Sequence, residues 1–345
     1  MNSIMQEDIK HIIDSKALDF QRFSGKTFLV TGATGMIGQN LVYTLLEANE
    51  ELEQPIRIVA LVRDANKAES IFGKSEWIHF VVGDVTSPFP FDARIDYIVH
   101  AASQTASKAF VEDPVGVITT AYQGTLNILN IAKEANTSGM VYLSTMEVYG
   151  APESEEKITE DHGTNLNTMK VRSSYAESKR MCECLCAAYA EKYGVPVKVM
   201  RLAQTFGPGV RYNDGRVFAE FARCAIEGKD IILHTTGETK RSYLYTADAV
   251  TAILAVLMDG KVGEAYNAAN EDTYCSIREL ARLFTEVFDD RAIRVKIQLE
   301  DIEKMGYAPK LSMNLDTSKL KALGWKALTP LPIMIKRLCK SMSEK

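Results

Sequence analysis

The sequence predicts an α/β protein: a Rossmann-type, doubly wound parallel sheet with a smaller, mainly C-terminal substrate-binding lobe. Three observations predict it. From Thr27 to Leu202, short apolar runs alternate with amphipathic helical stretches, the signature of βαβ units. A glycine-rich turn joins the first run to the first of these helices. Beyond Leu202 the rhythm breaks, and segments rich in Gly, Pro, Asn and Thr (207–215, 235–242, 263–274) interrupt shorter helices.

A chain of 345 residues suffices for one large domain or two smaller ones. Residues 1–25 read as an N-terminal helical extension that packs on the body through Ile4, Ile9, Ile12, Ile13, Phe20 and Phe23. Glu7, Asp8, Asp14 and Asp19 interrupt it and exclude the unbroken apolar core of a signal peptide. Residues 26–205 form the expected dinucleotide-binding domain, which also receives residues 240–260. Residues 206–239 and 261–345 form the expected substrate lobe. Candidate strands are Thr27–Thr31, Arg57–Val62, Ile78–Gly83, Tyr97–His100, Gly139–Ser144 and Val197–Leu202, rich in Val, Ile or aromatics as strands covered on both faces tend to be. Candidate helices lie near 36–49, 106–113, 115–136 and 174–193, and the tail ends in a basic helix, Leu331 to Lys345.

A net charge of −5 gives no reason to expect a nucleic acid or an anionic membrane as partner. No apolar run approaches the ~20 residues that span a bilayer, and the expected compartment is the cytoplasm. Cys182, Cys184 and Cys186 form C-x-C-x-C within a helical stretch. A metal cluster would want loop spacing and further Cys or His ligands. The three therefore read as buried small hydrophobes in a reducing compartment, and no metal is expected.

The glycine turn carries the first chemistry. Phe28 to Thr31 is a strand, and Gly32, Ala33, Thr34, Gly35, Met36, Ile37 and Gly38 turn it into a helix. Gly32 permits the tight turn, Gly35 lets a pyrophosphate approach the backbone, and Gly38 lets the helix pack on the sheet. The helix start offers free N–H groups and a positive dipole end to phosphates. The expected cofactor is NAD(P). After the second strand comes Arg63, where an acidic residue would bind a ribose 2′-OH, followed by Asp64 and then Lys67. The signal is divided and leans towards NADP. Asp84 and Val85 flank the adenine, or simply pack at a strand end. Ala101, Ala102 and Ser103, after His100, line the nicotinamide side or pack likewise.

Tyr175 and Lys179 open a helix at i and i+4, on one face. An ammonium near a phenol favours the phenolate and lowers its pKa from ~10. Tyr175 can then exchange a proton with an alcohol while hydride moves, and Lys179 can also bond a cofactor ribose. Thr145 and Glu147 stand at i and i+2, which on an extended segment places both on one side. Thr145 can bond the substrate oxygen. Glu147 is a candidate base or proton shuttle, or a structural hydrogen-bonding group.

At these residues the chain resembles the extended short-chain dehydrogenase/reductases, the sugar-nucleotide epimerase/dehydratase family, over roughly Lys26 to Trp325. The carriers are TGATGMIG (31–38), LSTMEVYG (143–150), YAESK (175–179), RLAQTFGPG (201–209) and RSYLYTADAV (241–250). More narrowly, Arg172-Ser-Ser-Tyr175 through Arg180, and Asn213-Asp214-Gly215-Arg216-Val217, resemble segments of UDP-glucuronate decarboxylases. The resemblance implies Thr145, Tyr175 and Lys179 as a catalytic triad. It implies Arg172, Gln204, Arg216 and Arg241 as substrate-binding residues, Arg216 and Arg241 facing a diphosphate. It implies a nucleotide-sugar substrate oxidised at C4, with NAD retained and recycled, and a homodimer pairing through 115–136 and 174–193.

The chain also departs from the pattern. Dehydratases of this kind carry Thr-Asp-Glu where Thr145-Met146-Glu147 stands, and Met146 cannot donate a proton. The decarboxylases carry an arginine near a C-terminal Pro-Asp-Ile. Here that region, 310–316, offers Lys310, a poor geometric substitute. Gln204 and Ala121 stand where the family has asparagines. Decarboxylation is the expected reaction. The alternatives are a 4-epimerase, an NADPH-dependent 4-keto reductase, a 4,6-dehydratase and, in another class, a cofactor-sensing binding protein, which would not need the Tyr/Lys pair.

Overall fold

The computed structural model describes residues 1–15, 18–89, 94–106, 108–288, 291–300 and 310–344. Ser107 and Lys345, within two of the predicted helices, lie outside them. The first half of the chain runs α1 (Ser3–Asp14), β1 (Thr27–Thr31), α2 (Met36–Ala48), β2 (Arg57–Val62), α3 (Ala65–Phe72), β3 (Ile78–Val82), β4 (Tyr97–His100), α4 (Ala109–Glu112), α5 (Pro114–Glu134) and β5 (Gly139–Thr145). It continues through α6 (Ser174–Tyr193), β6 (Val197–Leu202), β7 (Gln204–Phe206), α7 (Val217–Glu227), β8 (Ile231–Leu233), β9 (Lys240–Tyr245), α8 (Thr246–Asp259) and β10 (Ala265–Ala268). The remainder is β11 (Asn270–Ser276), α9 (Ile277–Val287), β12 (Val295–Ile297), β13 (Ser312–Met313), α10 (Ser318–Lys321) and α11 (Leu331–Ser343).

Seven strands form one sheet in the order β10-β6-β5-β4-β1-β2-β3, and every neighbouring pair is parallel. Successive residues of a strand serve opposite faces. Phe28 and Val30 enter the core that also holds Leu41 and Leu45 of α2 and Ile253 of α8. Leu29 between them enters the other core, with Ile128 of α5 and Cys186 of α6. Both faces are covered, so all five residues of β1 are buried. The strand order reverses between β1 and β4, and such switch points hold ligands at the carboxyl ends of strands.

The predicted strands are all present. β10, the seventh, was not among them. Its Asn267 is buried and bonded on several sides, to Tyr149, Glu160, Ile158 and Asp316, and a polar residue inside so short a strand hides the apolar signal. The predicted helix at 106–113 is reduced to α4. A second set of strands, β11-β9-β13 with β7 also on β9, stands beside the large sheet, and β12 pairs β8. These carry a core of their own around Phe206, Phe218, Phe221 and Phe284.

α1 is capped by Asn2, whose side chain accepts from the Ile4 and Met5 N–H groups. Its Asp8 is buried, 2.7 Å from the Arg337 guanidinium and accepting from the Tyr245 hydroxyl at 2.6 Å. One buried carboxylate thus joins the first helix, α11 and β9. A single-partner loss there leaves an unpaired buried charge.

Candidate active site

The glycine turn has the conformation its residues demand. Gly32 has φ +68°, and a Cβ there would lie 2.8 Å from the Ala101–Ala102 backbone. A Cβ at Gly38 would lie 2.2 Å from the Gly32 carbonyl oxygen. Gly35 is the N-cap of α2 and offers no side-chain cap, so the first-turn N–H groups at Met36 and Ile37 stay available for an anion. The Thr34 carbonyl accepts from Gln39. Asn40 ties the turn to the later chain, donating to the Met36 and Pro208 carbonyls at 2.8 and 2.9 Å. Ala101 and Ala102 follow β4 and face Gly32, with the Ala102 N–H donating to Thr31 Oγ1 at 3.1 Å. Ser103 continues that segment. His100 is buried and shares a 2.7 Å hydrogen bond with Thr31. Burial, then Lys179, pushes its pKa down to about 3.

The strand ends behave less uniformly. Asp64 caps α3, accepting from the Lys67 N–H at 3.0 Å. Arg63 is exposed beside it, and with Arg211 it depresses the Lys67 ammonium, after desolvation. Asp84 accepts from the Thr86 N–H and hydroxyl at 2.9 and 2.7 Å, and these bonds lower its pKa. Val85 is buried and fills the space a Cβ on Gly124 would need.

Tyr175 and Lys179 lie in the first turns of α6, both buried. Lys179 Nζ donates to the Leu143 carbonyl at 2.7 Å and sits 4.7 Å from the Tyr142 ring centre. Burial lowers its pKa to about 8. The expected acidification of the phenol is overturned in this state. Burial raises the Tyr175 pKa, Glu147 raises it further, and Thr145, Arg172 and Arg216 oppose them. Lys179 is turned to β5, and the Tyr175 ring is stacked on Phe110 at 4.3 Å and 7°.

The extended segment expected at 145–147 is also corrected. β5 ends at Thr145, which caps a 3-10 turn, Met146–Tyr149, by accepting from the Glu147 N–H at 3.2 Å. Glu147 still reaches the phenol's surroundings, because Arg172 donates to its Oε2 at 3.0 Å. Arg172 lies in a 3-10 turn, Val171–Ser173, ahead of α6, with its guanidinium 4.8 Å from the Phe110 ring centre. Its Nε is buried without a partner. Met146 points into the hydrophobic core. Arg216 is held by Asp214 through two bonds of 2.9 and 2.7 Å. Arg241 donates to Gln204 at 3.4 Å and leaves its Nε unpartnered. Lys310 is at the surface, paired with Glu238 at 2.7 Å.

The structure therefore brings Thr145, Glu147, Arg172 and Arg216 to bear on the Tyr175 phenol, with Lys179 a turn further on. Gln204 and Arg241 form a separate pair across β7 and β9. Two further groups were missed by sequence reasoning. Phe110 is a long-range contact with no local signal. Glu183, one turn beyond Lys179 on the same face, did have one. It accepts from Ser144 at the end of β5 and from Arg201 Nε and Nη2, so it braces the strand that delivers Thr145. Cys182 and Cys186 are buried, but Cys184 is exposed on the opposite side of α6, against expectation. No His/Cys/Asp/Glu group among the described residues could hold a metal. No described helix is long and apolar enough to cross a membrane.

A model of the NAD dependent epimerase/dehydratase family matches residues 28–269, from the first buried strand to the end of the large sheet. The chain belongs to that family. It is 31% identical over 264 residues to UDP-glucuronic acid decarboxylase 1 of Xenopus tropicalis, a match covering 76% of this chain and 60% of that protein. It is 31% identical over 308 residues to UDP-glucuronic acid decarboxylase 6 of Arabidopsis thaliana, covering 88% and 84%. Its fold matches the crystal structure of the Bacillus cereus UDP-glucuronic acid 4-epimerase in complex with UDP-glucuronic acid and NAD. That match has a TM-score of 0.76 at 20% identity, over 92% of this chain and 99% of the other.

The cradle of this family member suits a nicotinamide dinucleotide on its own geometry. The turn has no room for a Cβ at Gly32 or Gly38, and the N-terminus of α2 is uncapped by any side chain. Both are what a pyrophosphate lying on backbone requires.

Proposed function

We propose that the chain decarboxylates a nucleotide-linked uronic acid, UDP-glucuronate by similarity to its relatives, with the dinucleotide kept and recycled. One observation supports this: beside the buried Tyr175 ring, stacked on Phe110, the Arg172 guanidinium lies over Phe110 and pairs with the Glu147 carboxylate at 3.0 Å. That is a site for proton transfer next to an anionic sugar.

Gly32 to Gly38, Ala101, Ala102 and Lys179 would hold the dinucleotide, which supplies a reversible hydride acceptor when bound. Tyr175 takes the proton of the C4 hydroxyl, and Thr145 bonds the same oxygen. Lys179 leaves the Leu143 carbonyl and stabilises the phenolate. The C5 carboxylate is then β to a carbonyl, and the C5–C6 bond breaks to give carbon dioxide and an enolate. Glu147 relays a proton to C5. Tyr175 returns its proton to the C4 oxygen, closing the cycle. Arg216 and Arg241, with Gln204, receive the diphosphate.

Dehydration is disfavoured because Met146 lies in the core, where no acid faces a leaving hydroxyl. Epimerisation at C4 is the second reading, supported by the surface position of Lys310, which leaves the C-terminal cation of the decarboxylases unreplaced from that side. Mass spectrometry on UDP-glucuronate and a panel of UDP-, CDP-, GDP- and dTDP-sugars separates them. Loss of carbon dioxide supports decarboxylation, and an isomer of unchanged mass contradicts it.

Two finer points follow. Arg63 and Arg211 both act on Lys67, and a cationic group after the second strand supports a reading towards NADP. Recycling works with either dinucleotide, and the mass of the cofactor released on denaturation decides. Val115, Ile118 and Tyr122 of α5 and Met181 of α6 are exposed, an apolar surface that suits pairing of two copies. All six cysteines are unpaired, which suits a reducing cytoplasm.

A further inference from the structure

We infer that Arg172 recognises the substrate's sugar carboxylate, and that Glu147 holds that place while the site waits. This deepens the decarboxylation reading above and rests on it.

The sugar carboxylate carbon is two bonds of about 1.5 Å each from C4. A group that binds it must therefore stand beside the phenol that serves the C4 hydroxyl. Arg172 and Arg216 both act on the Tyr175 phenol, whereas Lys179 is committed to the Leu143 carbonyl at 2.7 Å. The hydrogen-bonding states of the two arginines differ. Arg216 is gripped by Asp214 through both Nε and Nη2, the fork-to-carboxylate arrangement that leaves little capacity on that edge. Arg172 gives one bond, from Nη1 to Glu147 Oε2, and keeps a buried Nε with no acceptor.

A guanidinium has five donors in a fixed plane, and a buried donor left unpaired costs free energy. A carboxylate arriving on the Nε edge recovers that cost. Arg172 is also kept in place from below. Its guanidinium lies over the Phe110 ring, and that ring is stacked on Tyr175. The proposed carboxylate clamp and the proton-transferring phenol thus both rest on Phe110.

The resting partner gives the arrangement its second property. Glu147 presents to Arg172 the same functional group that the substrate carries. Binding an acid sugar displaces Glu147 and frees its carboxylate for proton relay at C5. A neutral sugar lacks the charge to displace it. Selection for acid sugars and release of Glu147 are then one event.

Binding is measured on the cofactor-loaded Tyr175→Phe protein, which holds substrate without turnover, using UDP-glucuronate and UDP-glucose. Adding Arg172→Gln should weaken UDP-glucuronate about 30-fold and leave UDP-glucose within about twofold. Arg172→Lys, which keeps the charge without the fork, should fall between. Adding Glu147→Gln instead should tighten UDP-glucuronate, because the competing carboxylate is gone. Equal weakening of both sugars by Arg172→Gln, with unchanged melting temperature, overturns the assignment. So does unchanged UDP-glucuronate binding, or weaker acid binding in Glu147→Gln. If the wild type releases carbon dioxide while any of these holds, this inference alone falls. If the wild type releases none, the decarboxylation reading falls instead.

Discussion

The turn at Gly32–Gly38 follows β1 and the corner around Tyr175 gathers at the end of β5, with β4 between them, yet they are built differently. The turn is made of backbone, and its geometry leaves no second arrangement: Gly38 packs too closely on Gly32 to hold any side chain. The corner is made of long side chains that hold one another. Lys179 bonds Leu143, Glu147 bonds Arg172, and Tyr175 lies on Phe110. In the proposed chemistry each of these side chains takes another partner in substrate or cofactor. The cofactor side is then preformed, whereas the substrate side exchanges contacts before chemistry begins.

That contrast can be broken at several points. Tyr175→Phe should lower kcat about 1000-fold while bound dinucleotide is retained, measured by turnover and by cofactor absorbance. A joint loss of cofactor would erase the distinction between turn and corner. Gly38→Ala should do the reverse and weaken dinucleotide binding about 100-fold, read by titration of the stripped protein. Glu147→Gln should slow incorporation of solvent hydrogen at C5 about tenfold more than oxidation at C4, and equal slowing would remove Glu147 from proton relay.

Two smaller effects sharpen the picture on the turn side. His100 binds a proton in the unfolded chain below its ordinary pKa of 6.5 but in the folded chain only near 3. The unfolded state therefore holds more protons between these values, and stability falls as pH drops through that window. The slope from this group is about 1.4 kcal/mol per pH unit. His100→Asn should flatten that slope in denaturant titrations. Asp64→Ala should cost about 1 kcal/mol through loss of the α3 cap with no change in NAD affinity. A fall in affinity would mean that the carboxylate also serves a ribose.

Much of this was readable in the residues because it is local. β1 and the glycine turn are set by a five-residue apolar run and three glycines. The helix expected near 174–193 is α6, Ser174–Tyr193, which Gly194 ends in the left-handed conformation. The Thr145-Met146-Glu147 segment was misread as extended, although a threonine hydroxyl can accept from the backbone N–H two residues on and so open a turn. Phe110 was beyond reach for another reason. Its stack on Tyr175, with Arg172 over the same ring, joins segments that tertiary packing alone brings together. The direction of the Tyr175 pKa shift was misread likewise, because burial outweighed a neighbour four residues away that bonds to β5 instead.

The most direct test of the proposed chemistry is turnover of UDP-glucuronate in deuterium oxide, followed by mass and proton spectra of the product sugar. The expected product is a UDP-pentose that has lost carbon dioxide and carries one deuterium at C5. A product that keeps its carboxylate, with inverted C4 and no deuterium on carbon, would contradict decarboxylation and make the chain a 4-epimerase.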